Sequence, residues 1–130
     1  MLRIFSKFNI AIVAVIAVAA VFLFSVLLGV SQGRAQASAK SVYQTAQVLA
    51  KGLDNFFSDQ DRFPDSQEFS SSNILLTYFS GLPDNQPASS VCSENFIYKR
   101  PQPKSYELDF CLAADVSPYY KGWNKINKQK

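Results

Sequence analysis

The sequence predicts an α+β fold in which a long N-terminal helix packs on a small antiparallel β-sheet. Three observations predict it. Residues 10–30 form an uncharged stretch of 21 positions, a helical apolar stripe follows this stretch without a stop signal, and two β-like segments lie near the C-terminus. We divide the chain into a short basic segment (1–9), an apolar helix (10–31), its amphipathic continuation (32–58), a head (59–116) and a basic tail (117–130).

The apolar stretch is long enough to cross a bilayer. At about 1.5 Å per residue a helix of this length covers a hydrocarbon core of about 30 Å. Ser25 is compatible with it, because a helical serine can bond a carbonyl one turn earlier. We expect residues 10–31 to be a transmembrane helix that offers Ala11, Ala14 and Ala17 as a surface of small residues for helix packing.

The segment after Val30 reads as a helix with one apolar face. Apolar residues recur at alternating spacings of four and three, which is the period of a helix. They are Ala35, Ala39, Val42, Ala46, Leu49, Leu53 and Phe56, and the opposite face carries Lys40, Gln44, Gln47, Lys51 and Asp54. We expect the stripe to be buried by the head. Polar residues and then Pro64 end the helix, and we interpret residues 58–65 as a solvated turn.

A cleaved signal peptide is the alternative to an anchor. Ala35-Gln36-Ala37 and Ala37-Ser38-Ala39 both fit the small-x-small pattern of a cleavage site. The apolar run, however, is longer than the roughly 7 to 15 residues of a signal core. The amphipathic helix would also continue across the cut. We favour the anchor.

The cysteines bear on the compartment. Cys92 and Cys111 are the only two in the chain, which fits a disulfide in an oxidising compartment. A reduced pair in a cytosolic head is the alternative. Arg3 and Lys7 precede the apolar stretch with no acid, a slight bias toward a cytoplasmic N-terminus. We therefore expect a single-pass protein with an extracytoplasmic head.

The head contains one clear β signal. Residues 95–99 and 105–112 flank a five-residue loop, and the second segment alternates, with Tyr106, Leu108, Phe110 and Leu112 on one face. This pattern predicts a hairpin. Because two strands alone are marginally stable in water, their apolar face should lie on the amphipathic helix. Upstream, residues 70–73 can cap a short helix over 74–79, and residues 82–90 form a connection.

The C-terminal segment holds four lysines and no acid in its last ten residues. We interpret residues 117–130 as a frayed, solvated tail. Tyr119, Tyr120 and Trp123 are candidates for a surface contact with a glycan or a protein, the alternative being that they pack on the last strand. Residues 34–130 carry 11 Lys or Arg against 10 Asp or Glu, so nucleic acid is not the expected partner.

The residues of most catalytic and metal sites are missing. The chain has no histidine and two cysteines, which excludes imidazole bases, His-ligated metals and four-thiolate sites. Asp59, Asp61 and Asp65 lack the glycine and closing glutamate of a calcium loop. We expect no enzyme activity, no cofactor, no metal and no small-molecule substrate.

Three segments carry a family resemblance. Residues 46–64 (AQVLAKGLDNFFSDQDRFP), residues 78–87 (YFSGLPDNQP) and residues 106–112 together with Cys92 resemble the helix end, the Leu-Pro connection and the disulfide-bonded last strand of small bacterial type IV pilins and type II secretion pseudopilins. The family's leader ends in Gly before Phe, with Glu at the fifth mature position. Here Lys7 precedes Phe8, and Ile12 stands where the Glu would be.

The resemblance implies a pilin-like architecture in a bacterial cell membrane. It also implies a structural subunit of a cell-surface filament or a secretion or uptake apparatus, assembled with identical or homologous subunits. The alternative function is an extracytoplasmic adhesion or binding module, anchored or released by signal peptidase, with no filament role. A third hypothesis, DNA uptake through the lysine-rich tail, predicts binding that falls steeply with salt.

Overall fold

The fold class is the predicted one. A computed structural model describes residues 2–71, 76–79 and 90–130, with side chains from residue 12 onward. The elements are α1 (Leu2–Gln60), α2 (Ser66–Ser70), β1 (Phe96–Gln102), β2 (Ser105–Leu112) and β3 (Gly122–Gln129). The chain divides into two compact units, Met1–Arg34 and Ala35–Lys130, and α1 contributes to both.

The first unit is helical and its described side chains lie on the surface. All residues from 12 to 34 are exposed, including the large hydrophobic side chains from Ile12 to Val30. α1 is the one helix among the described residues that is long and apolar enough to cross a membrane.

The second unit is built around the apolar stripe of α1. Ala39, Val42, Ala46, Leu49, Leu53 and Phe56 are buried, and Ala35 is half-buried. All but Ala35 and Phe56 belong to one core cluster with residues of β1 and β2. The predicted polar face is exposed, apart from a half-buried Asp54. Spacings of three and four therefore placed the stripe correctly, because they keep successive apolar side chains on one side of a helix.

Within the described residues the sheet has three antiparallel strands in the order β1-β2-β3. The central strand β2 buries Tyr106, Leu108, Phe110 and Leu112 toward α1, as its alternation predicted. The hairpin loop is shorter than predicted, because Gln102 pairs with Ser105 and leaves Pro103 and Lys104 in the turn. The register shifts between Lys99 and Gln102, which accommodates Pro101 on an outer strand.

The predicted C-terminal tail is in fact strand β3. It pairs with β2 along its whole length, from Gly122 opposite Leu112 to Gln129 opposite Ser105. Gly122 begins the strand at φ 99°, a conformation that favours glycine. Ile126 packs against the core, and Lys128 Nζ lies 2.6 Å from Asp54 Oδ2 on α1. The last residues are ordered by pairing with β2 and by an ion pair with α1.

The predicted solvated turn is correct for residues 58–61, which are exposed, and wrong for Phe63 and Pro64. α1 runs to Gln60, and Phe63 and Pro64 are buried. Phe63 N donates to Pro103 O at 2.8 Å, and Tyr98 Oη donates to Pro64 O at 2.7 Å. The Phe63 ring lies 4.8 Å from that of Tyr106. Phe63 and Pro64 therefore close one end of the core.

The short helix α2 follows directly and was not predicted. The Asp65 side chain accepts from Glu68 N at 2.8 Å, while Asp65 N donates to Glu68 Oε2 at 2.9 Å. This reciprocal pair is a capping box, and its Asp-x-x-Glu spacing was readable in the sequence. Residues 76–78 are helical, within the helix predicted over 74–79. The predicted cap at 72–73 and connection at 82–89 lie outside the described residues.

Gly52 gives a test of packing on α1. A Cβ at this position would meet the Phe79 ring and would lie 2.7 Å from the Tyr78 carbonyl oxygen. Helix propensity alone favours Ala over Gly by about 1 kcal/mol. We expect Gly52→Ala to lower the urea midpoint of the full chain in detergent all the same, because overpacking costs roughly 1 to 3 kcal/mol.

The matched control is Gly33→Ala, also within α1, where a new Cβ would have nothing within 4 Å. It should leave the midpoint unchanged or raise it. Equal midpoints for the two variants would contradict the close contact between Gly52 and residues 78–79.

Candidate interaction surfaces

Within the apolar stretch of α1, the two described serines bond their hydroxyls to carbonyls of the same helix. Ser25 Oγ donates to Val21 O at 2.8 Å, and Ser31 Oγ donates to Leu28 O at 2.9 Å. In lipid, backbone and hydroxyl groups must find such partners internally. The predicted small-residue surface is available at Ala14 and Ala17, which are exposed, while the Ala11 side chain lies outside the described ones. A shallow groove runs beside it along Ala14, Val18 and Phe22.

The predicted disulfide is confirmed. Cys92 and Cys111 are bonded with their Cα atoms 5.8 Å apart, and both residues are buried. Cys111 N also donates to Asn95 O at 3.0 Å. The bond therefore fixes the chain entering β1 to the end of β2.

The three C-terminal aromatic residues do not form one surface. The Tyr119 ring is half-buried and lies 5.5 Å from the Tyr43 ring and 5.0 Å from the Phe110 ring. It is therefore a packing residue. Tyr120 is 75% exposed and Trp123 is 45% exposed. Of the predicted contact residues, these two remain on the surface.

Three of the four C-terminal lysines, Lys125, Lys128 and Lys130, lie beside carboxylates of the same chain. Lys125 Nζ lies 3.0 Å from Glu107 Oε2 and 3.7 Å from Asp109 Oδ1, on the sheet face opposite to α1. Hydrogen bonding to Glu107 raises the pKa of Lys125. Lys128 and Lys130 both approach Asp54, Lys130 at 3.7 Å. These pairs leave little free positive charge on β3 itself for a polyanion.

The three acidic residues whose spacing resembles the start of a calcium-binding loop have partners within the chain. Asp59 Oδ2 accepts from Tyr78 Oη at 2.9 Å, Asp61 pairs with Lys104 at 3.2 Å, and Asp65 caps α2. No group of three or more His, Cys, Asp or Glu side chains in the described part of the chain could hold a metal ion. These carboxylates act within the head.

Arg62 and Glu68 form an ion pair that the sequence analysis did not single out. The guanidinium and the carboxylate make two parallel contacts of 2.6 Å. The Arg62 hydrogen bond, with that of Asp65 N, lowers the pKa of Glu68 to about 2. Arg62 also lies over the Phe56 ring at 5.5 Å from its centroid. The pair therefore connects the end of α1 to α2.

Comparisons of the chain with protein-family models, with curated proteins and with solved structures found no match.

Removing the disulfide tests its share of the stability. The two cysteines are 19 residues apart in the sequence, and a loop of this size is credited with about 3 kcal/mol in the chain-entropy account. We expect Cys92→Ser/Cys111→Ser to lower the free energy of unfolding by about that amount, measured by urea titration in detergent. As a control, dithiothreitol should lower the midpoint of the wild type and not that of the variant. Equal midpoints for the untreated proteins would contradict a stabilising bond.

Glu68 gives a pH dependence of stability. Because its pKa is lower in the folded chain than in the unfolded one, its contribution is complete above the unfolded value of about 4.3 and is lost as the pH falls toward about 2. We expect the urea midpoint of the wild type to fall across this window. Glu68→Gln should have a lower midpoint at pH 7 and a flatter profile below pH 4.3.

The control is Asp61→Asn. The Asp61 side chain is 79% exposed, so its loss should change stability little, and Asn tolerates the positive φ of 52° there. If Glu68→Gln and Asp61→Asn gave the same pH profile, the role assigned to Glu68 would be refuted.

Proposed function

We propose that this protein is a membrane-anchored, pilin-like structural subunit of a bacterial cell-surface filament or a secretion or uptake apparatus. Its N-terminus is cytoplasmic, and residues 35–130 form an extracytoplasmic head. The observation that carries the proposal is the composition of α1. A single helical element is exposed and apolar over residues 12–30 and continues as the central core element of a folded head.

The anchor is supported by the exposed surface over residues 12–30. The large hydrophobic residues there are all 46% to 73% exposed. Water would oppose the exposure of so much apolar surface, whereas a bilayer accepts it. The internal hydrogen bonds of Ser25 and Ser31 suit the same environment.

An extracytoplasmic head is supported by the disulfide between Cys92 and Cys111. Such bonds persist where the compartment is oxidising. Arg3 and Lys7 at the other end of the apolar segment favour retention of the N-terminus in the cytoplasm. The two observations agree on a single orientation.

A structural role is supported by how the head uses its charged residues. Arg62, Glu68, Asp54 and Lys125 all take part in ion pairs that connect elements of the head. We infer that the protein acts through contacts with other subunits and not through chemistry on a substrate. Because Lys7 and Ile12 replace the family's Gly and Glu, assembly here would depend on helix packing and not on a membrane-buried Glu.

The second candidate function is an adhesion or binding module. The exposure of Tyr120 and Trp123 favours it, because large aromatic side chains are common in recognition surfaces. The packing of Tyr119 weakens it, because only two of the three predicted contact residues face solvent. It predicts that Tyr120→Ser/Trp123→Ser abolishes surface binding and leaves in-membrane crosslinking unchanged.

Cysteine crosslinking in isolated membranes tests the structural proposal. Because both native cysteines are bonded, a single added cysteine supplies one free thiol. We expect oxidation to give covalent dimers from Ala14→Cys, Ala17→Cys and Val21→Cys, which share one helix face. Ile16→Cys and Leu23→Cys, on the opposite face, are the matched controls and should stay monomeric.

Monomers at every position would refute lateral assembly through this face. Equal crosslinking on both faces would also refute it, since random collision has no preferred face. Alkaline carbonate extraction and N-terminal sequencing of the same membranes test the anchor separately. Release of the chain into the supernatant, or a mature N-terminus near residues 37–40, would show a cleaved signal peptide instead.

A further inference from the structure

The connection between β2 and β3, residues 113–121, lies against the first turns of α1 within the head. Gln36 Nε2 donates to Asp115 O at 2.9 Å. Two turns further along α1, the Tyr43 ring packs on the Tyr119 ring, with their centroids 5.5 Å apart. The connection is therefore held at the end of the head where the chain enters from residue 34.

Hydrogen bonds fix the backbone of this connection. Val116 and Tyr119 exchange two backbone bonds of 3.0 and 2.7 Å. Asn124 accepts from Tyr120 N at 3.3 Å and donates to Tyr120 O at 2.7 Å. Asp115 Oδ1 accepts from Lys121 N at 2.7 Å. The positions of residues 120 and 121 are thus defined by bonds that do not involve their side chains.

The side chains of these two residues point away from the head. Tyr120 is 75% exposed, one of the most exposed large hydrophobic residues of the chain, and Lys121 is exposed. Lys40 is exposed on the same helix stripe as Gln36 and Tyr43, four residues after the one and three before the other. Asp115 is the one acid of residues 113–121, and its carboxylate accepts from the Lys121 backbone.

In an anchored chain, the few residues between the apolar stretch and the head limit the distance of the β2–β3 connection from the lipid. Gln36 follows Val30, the last residue of the apolar stretch, by six residues. These residues are part of α1, in which six residues rise about 9 Å. The headgroup layer adds about 5 to 7 Å beyond the hydrocarbon core. An anchored chain therefore keeps Gln36, and the connection bonded to it, close to the lipid surface.

We propose that Lys40, Tyr120 and Lys121 form a surface that binds the anionic phospholipid headgroups of the membrane in which the chain is anchored. The proposal rests on the anchoring proposed above. Tyrosine is favoured at the membrane interface, where its ring and hydroxyl meet apolar and polar surroundings. Lysines near the surface are attracted to anionic lipid within a Debye length. The contact would set the orientation of the head above the bilayer.

Trp123 is a built-in reporter for the test. It is the only tryptophan of the chain, it is 45% exposed, and it lies two residues after Lys121. The full chain is reconstituted into phosphatidylcholine vesicles and into 3:1 phosphatidylcholine:phosphatidylglycerol vesicles, each with the same fraction of lipid carrying a headgroup nitroxide. Quenching of Trp123 fluorescence, which requires close approach of the nitroxide, is measured in each.

We expect quenching at least twofold stronger in the anionic vesicles, reduced by 1 M salt. Lys40→Gln/Lys121→Gln should lower it to the value in neutral vesicles, and Tyr120→Ser should weaken it. The matched control is Lys51→Gln, because Lys51 is an exposed lysine on α1 about 16 Å along the helix from Lys40. It should quench like the wild type.

Carbonate extraction of the same vesicles separates the two proposals. One outcome is that the chain is retained but quenching is the same in neutral and anionic vesicles, or is lowered as much by Lys51→Gln as by Lys40→Gln/Lys121→Gln. That outcome would refute binding of headgroups by this surface and leave the anchor in place. Quenching that depends on the protein-to-lipid ratio would assign the surface to a second copy and refute lipid binding. If carbonate releases the chain, both proposals fail.

Discussion

The head depends on the contact between the apolar stripe of α1 and the inner face of β2. Leu49 and Leu53 from the helix and Tyr106, Leu108 and Phe110 from the strand are each at most 2% exposed. Burying a side chain of this size is worth roughly 1.5 to 3 kcal/mol. Among the described residues, no layer other than α1 covers the inner face of the three-stranded sheet. The apolar faces of the helix and the sheet are therefore buried by packing on each other.

The remaining interactions fix the segments that surround this helix–strand contact. Cys92–Cys111 fixes one end of β2, and the buried Phe63 covers the other end through the hairpin turn. The ion pair of Asp54 with Lys128 attaches β3 to α1. Arg62 pairs with Glu68 of α2 and lies over the Phe56 ring of α1. Charged pairs at partly exposed positions add little energy each. They determine instead which segments lie where around a core that is fixed by apolar packing.

The two elements of that central contact were predictable because each is periodic. The stripe of α1 repeats every three or four residues and β2 every two, and local sequence suffices to read either period. Strand β3 was not predictable in this way, since Trp123 and Ile126 fall on opposite faces of an otherwise polar segment. Pairing with β2 makes it a strand. The sequence left open whether Tyr119 packs or contacts a partner for a related reason: its neighbour Tyr43 is 76 positions earlier in the sequence.

The outer strands of the sheet affect how heads of neighbouring chains in one membrane would meet. Chains that share a membrane meet at high local concentration, and an open sheet edge is a template for pairing with a neighbour. In the described part of the chain, β1 and β3 are the outer strands. β1 carries a register shift beside Pro101, and β3 carries Lys125 and Lys128. These features oppose strand exchange between heads, so that chains assembled as we propose would gather densely without their sheets fusing into aggregates.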